Sequence, residues 1–159
     1  MSQFWNGEVL AAPNLITVCV DESQASEISG RLYHGYSQEP QSFENVVQLI
    51  RYMADFYDSI RFPESSVILR KFTSEKRAME ELHEKSVEYQ QLMGQNGICA
   101  TFHIFVKYRQ NATWQGTIQW VDRRQTLTFR SEFEMLRLMD EAVRANEASL
   151  EATTPSWVK

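Results

Sequence analysis

The chain has 159 residues, 43% of them hydrophobic and 12% aromatic, with a formal net charge of −5. A chain this long buries about 70% of its unfolded surface, which excludes any need for a metal or disulfide to hold it together. The acidic balance argues against bulk nucleic-acid binding through a basic surface, though not against a local basic patch.

Residues 1–13 carry neither the basic start nor the apolar run of a signal peptide. No stretch reaches the 18 or so apolar residues of a membrane span, so a cytoplasmic protein with no membrane partner is expected. Ile16, Val18 and Val20 alternate with polar residues as in a half-buried strand, and Ile28, Gly30 and Leu32 do so again. A third strand before Phe43 meets Pro40, which lacks a ladder donor and confines the segment to an edge or dissolves it into loop. Asn45 then reads as a helix cap. Val46, Leu49/Ile50, Met53, Phe56/Tyr57 and Ile60 form the apolar stripe of the helix that follows.

Ser66–Phe72 reads as a short extended run. A charged helix is expected from Thr73 to about Met93, with Met79, Leu82, Tyr89 and Met93 on one narrow stripe, ended by Gly94-Gln95-Asn96-Gly97. Thr101–Tyr108 alternates, with Phe102, Ile104 and Val106 on one face. Trp114–Val121 follows, with Trp114, Gly116, Ile118 and Trp120 sharing a face. Asp122-Arg123-Arg124 reads as a tight turn into a strand at Gln125–Arg130. Ser131 and Glu134 fit a capping box, and Phe133, Leu136, Met139 or Asp140, and Val143 mark the inward stripe of the last helix. Residues 147–159 read as a frayed tail in which Trp157 could dock.

Displaced by 86 positions, residues 15–57 fall on residues 101–143 without a gap. Val20/Val106, Gln24/Gln110, Gly30/Gly116, Phe43/Phe129, Arg51/Arg137 and Met53/Met139 are identical. Conservative pairs such as Leu32/Ile118, Leu49/Met135 and Asp55/Glu141 keep strand and helix periods in phase. The fold class expected is therefore α+β: an internal duplication of a βββα unit, with a mainly antiparallel sheet, helices on one face and a connecting helix. The organisation is a single domain of two repeats, about 15–60 and 101–146, joined by residues 61–97. Val47, Ile50 and Met53 should mirror Phe133, Leu136 and Met139 in a shared core.

Catalytic signals are absent. His34, His83 and His103 stand in no metal or triad spacing, and no GxSxG, Walker or GxGxxG motif occurs. Cys19 and Cys99 lack metal spacing and read as small buried hydrophobes. The expectation is a non-enzymatic protein with no cofactor and no metal.

Residues 107–130 differ from the rest. They hold five basic side chains (Lys107, Arg109, Arg123, Arg124, Arg130) against one acidic, Asp122, inside an acidic chain. Around one turn lie a fork donor, amides, a hydroxyl and an indole, the equipment of a site with few, directed polar contacts. The candidate binding residues are Arg109, Gln110, Asn111, Thr113, Trp114, Gln115, Trp120, Arg123, Arg124 and Arg130. Trp114 answers to Ile28 in the first copy, which favours a core role for it. The polar loop differs between copies, and differing loops on a repeated scaffold are where function specialises.

The run Tyr108–Trp120, followed by Phe129-Arg130-Ser131 and a Leu-rich helix, resembles a stretch shared by small uncharacterised bacterial proteins over roughly residues 102–143. That resemblance implies a bacterial origin and no particular activity. Asn111, Thr113 and Gly116 are also similar to the Asp/Asn-x-Ser-x-x-Gly motif of PilZ-type cyclic-di-GMP receptors, with threonine for serine. The upstream RxxxR of those receptors has no counterpart, since Arg70 and Arg77 stand seven apart. The expected function is an intracellular binding or adaptor protein whose partner is an acidic protein surface or a phosphate-bearing ligand. The alternative is a sensor of nucleotides, cyclic dinucleotides or single-stranded nucleic acid, with Trp114 or Trp120 stacking on a base. A homo-oligomer is compatible with either.

Overall fold

The computed structural model describes residues 12–73 and 84–153. Six strands form one antiparallel sheet: β1 (Ile16–Gln24), β2 (Glu27–His34), β3 (Gln41–Phe43), β4 (Ala100–Tyr108), β5 (Gln115–Trp120) and β6 (Gln125–Phe129). Their order is β3-β2-β1-β4-β5-β6, so the two three-stranded hairpin sets meet at the β1–β4 seam, where Ile16 pairs with Ile104 and Val20 with Ala100. Among the described residues three helices accompany the sheet: α1 (Val46–Ile60), α2 (Tyr89–Met93) and α3 (Glu132–Thr153). The fold is α+β.

Strand alternation decides which side chains meet the long helices. Ile16, Val18 and Val20 of β1, Phe102, Ile104 and Val106 of β4, and Ile118 and Phe129 beyond them join α1 and α3 in the main core. The opposite face is covered near its centre by residues 85–93. Leu92 packs there with Ala12, Leu15 and Phe105 in a smaller cluster, and the Leu92 carbonyl accepts from Thr17 Oγ1 at 2.8 Å. Sheet and helices thus form a layer packed on both sides rather than one.

Several local devices recur 86 positions apart. Bulges fall between Val20 and Glu22 and between Val106 and Tyr108. Positive φ angles fall at Ala25 and Ser26 and again at Asn111 and Ala112, as a type I′ turn demands of its two central residues. Gly30 pairs with Phe43 and Gly116 with Phe129. A Cβ on Gly30 would strike the Cys19 carbonyl oxygen, and one on Gly116 the Phe105 carbonyl oxygen. Asn45 Oδ1 accepts from Gln48 N at 2.8 Å, and Ser131 Oγ from Glu134 N at 3.1 Å. The third residue of the helix reaches back in both cases, yet to the residue before the cap: Glu44 N donates to Gln48 Oε1, and Arg130 N to Glu134 Oε1.

The inward faces of the helices require a correction. The deeply buried positions are Leu49, Met53, Phe56 and Tyr57 on α1 and Met135, Met139, Ala142 and Val143 on α3. Val47 and Phe133, expected in the core, are 76% and 70% exposed, while Ile50 and Leu136 are half-buried at its margin. Val47 and Phe133 are each the second residue of their helix, beside the cap.

Other expectations also shift. Of the charged helix expected over 73–93, residues 74–83, with Met79 and Leu82, lie outside the described residues; residues 84–88 are irregular and Tyr89–Met93 is helical. Ser66–Phe72 forms no strand and is exposed. The first half's third strand does form, as the short edge strand β3 directly after Pro40. The tail from residue 147 is helical as far as Thr153, and Trp157 lies outside the described residues. Asp122-Arg123-Arg124 closes β5 onto β6 through a turn of 3-10 helix at Val121–Arg123, ended by Arg124 with φ 53°. Cys19 is buried, Cys99 half-buried, and both are free. Among the described residues no helix is long and apolar enough to cross a membrane.

Candidate functional site

The sequence-selected residues fall at two ends of one hairpin. Residues 109–114 form the β4–β5 turn, and Arg130 lies at the same end because Phe129 pairs with Gly116. Trp120, Arg123 and Arg124 lie at the other end of β5, about 17 Å away along a strand rising about 3.4 Å per residue. The structure does not bring the ten residues onto one surface.

At the first end, Arg109 is buried. Its Nε donates to the Pro63 carbonyl at 2.7 Å, its Nη1 donates to Asp58 Oδ1 at 2.6 Å, and its guanidinium stands 5.8 Å from the centre of the Tyr57 ring. Two of its donors are thus taken by the last turn of α1 and the chain that follows it. The backbone joins in, with Ser66 N donating to the Arg109 carbonyl at 3.1 Å and Asn111 N to Ser66 Oγ at 3.2 Å.

The far side of the turn is tied to α3. Glu132, the first residue of that helix, accepts from Thr113 Oγ1 at 2.6 Å and from Trp114 N with the same oxygen, Oε1. Trp114 is buried with its ring edge-on to Tyr57, centroids 5.4 Å apart at 82°. Gln115 closes the turn on itself, donating from Nε2 to the Gln110 carbonyl at 3.2 Å. The outward surface of the turn consists of the exposed residues Gln110, Asn111 and Ala112, beside the exposed Lys107 and Tyr108. Asp58, Ser66, Tyr57 and Glu132, which shape this turn, lie outside the sequence's candidate residues. Only Glu132, an acidic residue at a helix start, carries a sequence signal.

At the second end, Arg123 lies 4.8 Å from the centre of the Trp120 ring and donates to Ser149 Oγ and, at 3.4 Å, to the Ala145 carbonyl of α3. Asp122 Oδ2 accepts from Thr101 N at 3.0 Å, pinning the turn to β4. Arg124 is exposed in a left-handed conformation. Trp120 also lines a shallow cleft of about 60 Å³ between the sheet and α3, together with Ile118, Leu127, Leu138, Ala142 and Glu141. Arg130 is exposed and pairs with Glu134, Nη2 to Oε2 at 3.0 Å; this contact raises the arginine's pKa and lowers the glutamate's.

The described histidines serve packing. His34 stacks on Phe56 with centroids 4.2 Å apart, and its Nδ1 accepts from Tyr36 N at 3.1 Å. Burial lowers its pKa to about 4. His103 is buried beside Gln119, with Nδ1 2.9 Å from Oε1, and burial lowers its pKa as well. His83 lies outside the described residues. Among the described residues no group of three or more His, Cys, Asp or Glu is placed to hold a metal ion.

No family model, curated protein or solved structure matches this chain.

Proposed function

We propose that the chain is a non-enzymatic binding or adaptor protein that recognises an anionic partner through the 107–130 hairpin. The observation that carries this reading is electrostatic. Lys107, Arg123, Arg124 and Arg130 are all exposed on or beside β4, β5 and β6, in a protein of net charge −5. Basic groups kept at a surface of an otherwise acidic protein steer and orient an acidic partner more than they stabilise the fold.

The scaffold reading belongs to the same proposal. The chain is two βββα units of common design, and their matched bulges, turns, glycine contacts and caps support this. The first unit carries Glu22, Glu27 and Glu44 around its hairpin, whereas the second carries basic residues. Both units keep the architecture, and the hairpin of the second has specialised.

Arg109 is better read as a positioning residue than as a ligand, because its guanidinium is already engaged by Asp58 and Pro63. The nucleotide alternative draws no support from the tryptophans. Trp114 packs edge-on against Tyr57, and Arg123 covers the ring of Trp120.

The test is Arg123→Glu with Arg124→Glu, after an unchanged circular-dichroism spectrum has shown that the fold survives. Capture of acidic partners from a lysate of the source organism should fall sharply. Undiminished capture by the double variant would overturn the proposal.

A further inference from the structure

The two edges of the sheet are unlike. β3 is three residues long, follows Pro40, and is flanked by Glu39 and Glu44. A short strand next to proline is a blunted edge, which discourages further pairing. β6 has five residues, Gln125-Thr126-Leu127-Thr128-Phe129, without proline and composed largely of β-formers. Among the described residues its outer backbone groups have no neighbouring strand in the sheet. Leu127, at its middle, is 56% exposed and lines the cleft with Trp120 and Leu138. Arg124 stands at one end of β6 and Arg130 at the other, both exposed.

From this we infer that β6 is a strand-addition site for an extended peptide with an apolar residue at its centre and carboxylates toward both ends. The added strand bonds to the outer backbone of β6, and its central side chain lies over Leu127 at the cleft. Its acidic residues meet Arg124 and Arg130. Main-chain bonds supply affinity in this mode, while the side-chain subsites and flanking charges supply selectivity. The Arg130–Glu134 pair is exposed and costs little to reorganise.

The same charges argue against a second copy as the occupant. Antiparallel self-pairing of β6 about Leu127 sets Arg124 of each protomer opposite the other's Arg130. Like charges facing each other across a strand pair oppose association. The inference rests on the anionic-partner proposal and narrows it to a peptide strand.

The experiment is selection of a displayed library of random peptides on the full chain, with a Leu127→Asp variant as counter-selection. Enriched sequences should carry an alternating apolar centre with Asp or Glu on both sides. Their affinity, measured by fluorescence anisotropy, should fall by about tenfold or more, about 1.4 kcal/mol or more, on Arg124→Glu with Arg130→Glu. That variant should in turn select basic-ended peptides. Failure to enrich any sequence over the Leu127→Asp control would overturn the inference, as would equal binding to the charge-reversed variant. So would a stable wild-type dimer broken by Leu127→Asp, which would assign the edge to a second copy. If partner capture depends on Arg123 and Arg124 but no peptide is selected, strand addition alone fails and a phosphate-bearing ligand takes its place.

Discussion

Arg109 Nη1 donates to Asp58 Oδ1 at 2.6 Å, and the two partners sit in unlike surroundings: the arginine side chain is 8% exposed, the aspartate's 48%. The pair ties the end of α1 to the β4–β5 turn, elements some fifty residues apart in the chain. Arg109→Met removes this bond and leaves the Pro63 carbonyl without its donor. A loss of about 2–3 kcal/mol is expected, in line with buried hydrogen bonds to charged groups. Urea unfolding measures it. An unchanged midpoint would mean that the arginine is not a staple.

The buried helix positions separate from the exposed ones. Leu49→Ala, Met135→Ala and Phe129→Ala each remove a side chain that is at most 2% exposed and should cost about 2–5 kcal/mol. Val47→Ala and Phe133→Ala should stay within about 0.5 kcal/mol, as surface changes do. Thermal melts of the five variants test the pattern. A large loss at Phe133 would contradict the orientation of α3.

Gly30→Ala and Gly116→Ala should behave alike. In each the new methyl meets a carbonyl oxygen of the adjacent strand, Cys19 or Phe105, and backbone must move to admit it. A destabilisation of about 2 kcal/mol or more is expected at both sites, in the range of overpacking. One tolerant site and one intolerant site would weaken the duplication.

Acid should weaken the fold through His34. Its pKa is 6.5 in an ordinary setting and about 4 when buried against Phe56. Between those values the unfolded chain holds a proton that the folded chain refuses. Stability from this group is therefore complete above pH 6.5 and declines as pH falls toward 4, by at most about 3 kcal/mol. Asp21, its pKa lowered by Arg31, adds a loss in the same direction at lower pH, below its ordinary 3.8. Equilibrium unfolding of wild type and His34→Phe across pH 4–7 isolates the histidine. Parallel curves would show that His34 does not titrate as its burial requires.

Much of the architecture was legible because it is written in local patterns. Alternation at Ile16–Val20 and Phe102–Val106 gave strand faces, and Asn45 and Ser131 gave helix starts that their cap bonds match. Periodicity was less informative where one residue can sit on either side of a stripe. Phe133 is the most apolar residue near the start of α3, yet Met135 takes the core position because the cap sets the helix phase. The site was harder to read. Arg109 looks like a free fork donor in sequence, and only the return of residues 58–66 against the turn reveals that it is occupied. Such contacts depend on the path of a connecting segment, which has no periodic signature.

The β1–β4 seam carries a consequence for chain connectivity. Its five residue pairs, Ile16 with Ile104 through Val20 with Ala100, join strands belonging to different halves of the chain. Separate either half and it presents an apolar central strand as a raw edge, whose best complement is the strand it lost. Two separately expressed pieces, divided between α1 and β4, therefore suit fragment complementation, with the seam as the junction between named strands that must re-form among the described residues.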